Sequence, residues 1–165
     1  MSTQLPPRPG EIGNHSSLAA GNDIRAGQKA FDAGRFHEAL FYLDRATSAD
    51  EANAEAWYRK GNCLHVLKRD LEAVRCYDRA LKYDPRAALA WRNRGFCLMQ
   101  SERLEEALRS YERVLGINAR DTWVRKAKQA TEEKILLGSQ LSLSRFTRAT
   151  TPVTGLRPGV RPGNA

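Results

Sequence analysis

Residues 54–87 and 88–121 carry the same pattern twice, and this repetition limits the possible folds more than any other feature of the chain. Trp91 follows Trp57 by 34 residues (91 − 57 = 34), and Gly95, Leu98, Ala107 and Tyr111 follow Gly61, Leu64, Ala73 and Tyr77 at the same interval. A fixed period of this length marks stacked units, none of which can bury its apolar face alone. Within one unit, Trp57, Leu64 and Leu67 fall on one helical stripe, and Leu71, Val74, Tyr77 and Leu81 on a second. Each unit is therefore predicted to be a pair of antiparallel helices. Gly61 and Ala73 are small where the two must approach closely, and Pro85 ends the second helix.

A weaker copy precedes these two, over 20–53. Gly27, Ala39, Leu43 and Ala46 stand at the landmark positions, whereas Asp23, Ala30 and Glu51 replace Trp57, Leu64 and Pro85. The helices of this copy are expected over 20–33, ended by Gly34, and over 36–49. A seventh helix is predicted over 122–138, with Trp123, Ala127 and Ala130 on one side and Gly138 as its stop. Asp70 stands where the other copies have Phe36 and Leu104, so its apolar role is expected to pass to Leu71.

The spacing Trp-x-x-x-Gly-x-x-Leu, Ala-x-x-x-Tyr and Pro closely resembles the tetratricopeptide repeat. That resemblance implies an all-α, right-handed superhelical solenoid of three helix-turn-helix repeats, over 20–53, 54–87 and 88–121. A capping helix over 122–138 would close it, making a repeat domain of 20–138. It also implies that the first helix of each repeat lines a concave inner wall.

Charge does not point to nucleic acid. The formal net charge is +8, but residues 139–165 hold four basic and no acidic residues, and 20–121 carry 18 basic against 16 acidic. Half of the excess sits in that tail, and the folded body is nearly balanced. Residues 1–19 and 139–165 are rich in Pro, Gly, Ser and Thr, and both are expected to be disordered, the second with polyproline character around its Arg-Pro-Gly triplets. No signal peptide and no run of the ~20 apolar residues needed to span a bilayer is evident. Three cysteines suit a reducing compartment, so a cytoplasmic location is expected.

Helical geometry assigns the face opposite each first helix's core stripe. On this face lie Arg25, Gln28 and Phe31, with Ile24 and Asp32. One period on come Tyr58, Arg59, Asn62 and His65, with Glu55. Arg92, Asn93 and Phe96 follow, with Leu89 and Met99. Rings interleaved with arginine and amide groups suit an extended peptide. Arg25, Arg59 and Arg92 are expected to track along one wall, favouring acidic residues spaced by about three positions, while Phe31, Phe96 or Met99 would take an apolar one.

Chaperone-binding members of the family hold a C-terminal carboxylate with two lysines, two asparagines and an arginine. Here Ile24, Gln28, Arg59, Leu89 and Asn93 stand at those places, and none matches. No metal site is expected, because Cys63, Cys76 and Cys97 lack the close pairing of zinc ligands and are read as buried small residues, and His65 is not read as a ligand. No nucleophile–base pair or phosphate loop is present, so no catalysis, cofactor or small-molecule substrate is expected. The chain reads as a protein-interaction adaptor. The competing reading is a structural subunit that self-associates, or joins a larger complex, through its convex face.

Overall fold

The structure, a computed structural model, describes the backbone of residues 11–149 and the side chains of 17–141. The expectations for residues 1–10 and 150–165 lie outside the described residues. Among the described residues seven helices follow one another: α1 (Glu11–Asp32), α2 (Phe36–Ala49), α3 (Ala54–Val66), α4 (Asp70–Tyr83), α5 (Ala88–Gln100), α6 (Leu104–Ile117) and α7 (Thr122–Ala149). The starts of α2, α4 and α6 are 34 residues apart (70 − 36 = 34), as are those of α3, α5 and α7 (88 − 54 = 34). The fold is an all-α solenoid.

Each turn inside a hairpin is the same device. Gly34, Lys68 and Glu102 adopt positive φ (73°, 62° and 57°), and the next amide, of Arg35, Arg69 or Arg103, donates to Ala30, Leu64 or Leu98 at 2.9 Å. This left-handed closure satisfies carbonyls that the helix end would otherwise leave unpaired. The turn between repeats is also periodic. The carboxylates of Asp50 and Asp84 and the amide oxygen of Asn118 accept from the backbone amides two residues on, at 3.0–3.1 Å. That local bond holds the third turn, where Ala119 stands in place of a proline.

Close approach explains the glycines. A Cβ on Gly61 would lie 2.6 Å from the Tyr77 ring, and one on Gly95 would lie 2.6 Å from the Tyr111 ring. Both tyrosines are fully buried, with Ala73 and Ala107 beside them. In the first hairpin Leu43 fills the tyrosine's place against Gly27. Full burial of a side chain such as Leu43, Leu98 or Val114 contributes about 1.5–3 kcal/mol.

The two tyrosines end differently. Tyr77 Oη donates to Asn62 Oδ1 at 2.9 Å, whereas Phe96 stands at the equivalent of Asn62 and the buried Tyr111 hydroxyl has no hydrogen-bond partner among the described residues. Tyr77→Phe is therefore expected to destabilise by about 1 kcal/mol, and Tyr111→Phe to be neutral or stabilising. Paired urea melts measure the difference, and equal losses would contradict it.

α7 continues the repeat register. Val124 takes the buried place of Ala56 and Ala90, and Thr131 that of Cys63 and Cys97. Trp57 and Trp91 donate Nε1–H to the carbonyls of Glu51 and Pro85, and Arg125 donates to the carbonyl of Ala119 at the equivalent position. α7 thus holds the register of the first helix of a fourth unit.

Two boundaries and several side chains differ from the sequence expectation. α1 begins at Glu11 rather than at 20, since the last proline before it is Pro9. α7 runs through Gly138 to Ala149, because a glycine inside a helix costs only about 1 kcal/mol and by itself does not end one. Leu71 is 51% exposed and does not replace the apolar residue lost at Asp70. Asp70 instead faces His65 across the turn, with Oδ1 2.6 Å from Nδ1. Within α7 the buried line is Val124 and Thr131, while Ala130 is exposed and Trp123 is 39% exposed.

Curvature follows from which helices touch. α1 meets α3, α3 meets α5 and α5 meets α7, whereas α2, α4 and α6 do not meet one another. The odd-numbered helices therefore form the inner wall.

Candidate functional site

All ten residues expected on the inner face lie on α1, α3 and α5, but they divide into three clusters rather than one track. At the first, Arg25, Gln28, Lys29 and Arg59 line a cleft between α1 and α3, together with Ile24, Asp32 and Glu55. Gln28 and Arg59 also border an adjoining hollow formed by Gly27, Phe31, Leu43 and Asn62. The polar groups are held by neighbours on their own helix. Arg25 donates to Asn22 at 2.5 Å, Gln28 to Asp32 at 2.6 Å, and Arg59 to Glu55 through both Nε and Nη2 at 2.9 and 2.7 Å. These are exposed i,i+3 and i,i+4 contacts of small net energy, so a ligand carboxylate can compete for them.

The second cluster is a network. Asn93 Nδ2 donates to Asn62 Oδ1 at 3.0 Å and to Tyr58 Oη at 3.5 Å, and Asn62 Oδ1 also accepts from Tyr77. Asn62 and Asn93 thereby lock α3 to α5, and Asn62 Oδ1 already accepts two bonds. Beside Tyr58, Ala54, Ala80, Ala87, Ala88 and Leu89 line an apolar hollow, and Leu89 at its edge is 57% exposed.

In the third, Phe96 packs edge-on to His65 (ring centroids 5.4 Å apart) and against Trp123 (6.1 Å). The Arg92 guanidinium lies 4.2 Å from the centre of the Trp123 ring, a stacked cation worth about 0.5–2 kcal/mol. Arg92 is thus separate from the cleft that Arg25 and Arg59 share.

Two expectations need correction here. Ile24 borders the cleft but is only 8% exposed and packs against Ala46 and Ala56, so it serves the core more than the open face. Phe31, Phe96 and Met99 are not left in water. Phe31 packs on Phe36 (5.3 Å) and on the first hairpin's core, and Met99 packs on the main core. The open apolar surface lies instead at the hollow beside Leu89.

Sequence reasoning missed Lys29 and placed Trp123 on the wrong face. A signal for Trp123 was available, since counting 34 on from Trp91 reaches Arg125, whereas Trp123 is 34 beyond Leu89, a groove residue.

The three thiols are buried and free of disulfides. Burial pushes Cys63 and Cys76 up to about 11, and burial, with the nearby Asp70 carboxylate, pushes Cys97 up to about 12. His65 Nδ1, Asp70 Oδ1 and Cys97 Sγ nevertheless come together, with Sγ 3.4 Å from Nδ1. No helix of the described residues is long and apolar enough to cross a membrane.

Known proteins share this architecture. The first TPR domain of Spaghetti (RPAP3), solved bound to the HSP90 peptide SRMEEVD, superposes with a TM-score of 0.71 at 22% identity, covering 73% of this chain and 95% of that one. The Arabidopsis OM64 TPR domain gives 0.69 at 17% identity, with 72% and 98% covered. The MamA protein gives 0.70 at 18% identity, with 82% and 74% covered. At these identities the likeness is one of fold. No curated protein sequence matches the chain. Two family models described as tetratricopeptide repeat match residues 24–74 and 61–132, spanning between them all three hairpins. With the period, the turns and the glycine–tyrosine contacts, they establish that the chain belongs to the tetratricopeptide-repeat family.

Proposed function

We propose that the chain is a non-catalytic adaptor that holds an acidic peptide segment along its inner wall. The observation carrying this reading is the cleft where Arg25, Lys29 and Arg59 converge against Asp32 and Glu55, three cations to two carboxylates, with Gln28 between them. Acidic side chains would pair with Arg25 and Arg59, and an apolar side chain would enter the hollow beside Tyr58 and Leu89. The HSP90 and HSP70 peptides held by fold neighbours contain adjacent acidic residues, which agrees with the charge of this cleft. The five carboxylate-clamp places remain unmatched, so the ligand assigned is an acidic segment rather than a chaperone tail. Neither a small molecule nor a nucleic acid is part of this reading.

The test is fluorescence anisotropy with a labelled peptide bearing Asp at every third position and one Leu. Arg25/Arg59/Arg92→Ala is expected to weaken binding at least about tenfold and to flatten its salt dependence, with the far-UV helical signal unchanged. Loss of a partly desolvated ion pair costs about 2–5 kcal/mol when buried and less at a rim. Most of the effect should come from Arg25 and Arg59, since Arg92 is engaged by Trp123. Unchanged affinity in the folded triple variant would remove the cleft as the site.

A second reading, assembly through the outer side, is favoured by Phe41 and Leu71, 58% and 51% exposed on α2 and α4. Light scattering across a concentration series separates the two, since growth in mass with concentration supports assembly.

A further inference from the structure

His65, Asp70 and Cys97 belong to α3, α4 and α5, yet one ligand-type atom from each lies within 4.8 Å of the other two. The repeat supplies its own comparison. In the first hairpin the places of His65 and Asp70 are held by Phe31 and Phe36, packed ring to ring, with Cys63 in the same core cluster. In the third they are held by Met99 and Leu104. The thiol of the next helix, Cys63 or Cys97, is common to the first two hairpins, but only in the middle one have both partners across the turn become polar, so only there does it meet ligand-type atoms. An ion pair alone would need only His65 and Asp70. The soft donor 3.4 Å from the same Nδ1 is the additional feature.

We propose that His65 Nδ1, Asp70 Oδ1 and Cys97 Sγ bind one Zn²⁺ ion. Nitrogen, carboxylate and thiolate are the ligand types zinc takes, at about 2.0–2.3 Å, which places ligand atoms roughly 3.3–3.8 Å apart around a tetrahedron. The sulfur–nitrogen distance already fits. The 2.6 Å nitrogen–oxygen distance opens by less than about 1 Å if Asp70, the first residue of α4, rotates its side chain. Cys97 is fully buried below, while the His65 and Asp70 side chains are 29% and 20% exposed above. The fourth position therefore faces solvent and takes a water, as in sites with three protein ligands. On binding to the neutral imidazole form, the Cys97 S–H bond breaks as S–Zn forms. The His65 proton moves to Nε2, leaving the Nδ1 lone pair for the metal. One proton is released per ion, so affinity rises with pH.

The experiment is titration of the reduced full-length chain with Co²⁺ and then Zn²⁺. A 1:1 cobalt complex with a near-ultraviolet thiolate band and tetrahedral visible bands, both erased by one equivalent of Zn²⁺, is expected. Cys97→Ala should abolish the thiolate band. His65→Phe/Asp70→Phe, which rebuilds the packed pair of the first hairpin, should keep the helical signal and lose more than about a hundredfold in zinc affinity, beyond what changes behind the ligands cause. Zinc should raise the melting temperature of the parent and not of this double variant. Absence of the thiolate band in the parent, or its survival in Cys97→Ala, overturns the proposal, as does equal zinc affinity in parent and double variant.

Discussion

Gly61→Leu is expected to lower stability by at least about 3 kcal/mol, a fall of roughly 10 °C in melting temperature. The smallest possible addition, the Cβ, already lies 2.6–2.9 Å from three atoms of the Tyr77 ring, and that ring has nowhere to go. Tyr77 is fully buried within the cluster of Val74, Cys76, Cys97 and Leu98, and its hydroxyl is fixed by Asn62. Gly61→Ala should cost about 1–3 kcal/mol by the same contact. Gly116, also helical but exposed, meets nothing within 4 Å of a built Cβ. Gly116→Ala should therefore stabilise by about 0.5–1 kcal/mol through helix propensity alone. Thermal melts of the three variants give the ordering, and a Gly61→Leu melt within a few degrees of the parent would refute the hairpin contact.

Ending the chain after Asp121 is expected to be nearly as damaging. It removes Val124 and Thr131, both fully buried, and uncovers Tyr111 and Val114 on the last hairpin. At about 1.5–3 kcal/mol per buried side chain, loss of Val124 and of the cover over Val114 comes to roughly 3–6 kcal/mol. That is a large share of the roughly 5–15 kcal/mol that a domain possesses. Ending the chain after Gly138 removes no side chain that is buried among the described residues, and Leu141 beyond the cut is 55% exposed. This shorter cut should leave the denaturant midpoint nearly unchanged. The ion pairs from Lys128 and Lys134 on α7 lie at the surface and contribute little to the contrast.

The hairpins were legible because two independent constraints share one period. Small residues mark the helix contact and large apolar residues fill it, both at 34-residue intervals in the second and third copies. What was not legible came from side chains that answer to a neighbouring helix rather than to their own. Ile24 occupies a groove position by helical angle and borders the cleft, yet most of its surface packs into the core with Ala46 and Ala56, while the carboxylate of the preceding Asp23 turns to Arg45 at 3.4 Å. Asp70 could be seen to break the apolar pattern. That its partner would be His65, and that Cys97 would join them, depends on how α3, α4 and α5 stack. In the groove, residue type and face were readable at Arg25, Gln28 and Arg59. Periodicity within a helix does not reveal that Asn62 and Asn93 bond to each other, or that Arg92 is held by Trp123 on α7.

The central claim, that the inner wall is the ligand site, is tested most directly by mapping a bound acidic peptide through backbone amide chemical shifts of the labelled chain. The account predicts that the perturbed amides cluster on α1 and α3 around Arg25, Gln28 and Arg59, extending to Tyr58 and Leu89, with α2 and α4 silent around Phe41 and Leu71. Perturbations concentrated around Phe41 and Leu71, with Gln28 and Arg59 unmoved, would contradict it and place the interaction on the outer face.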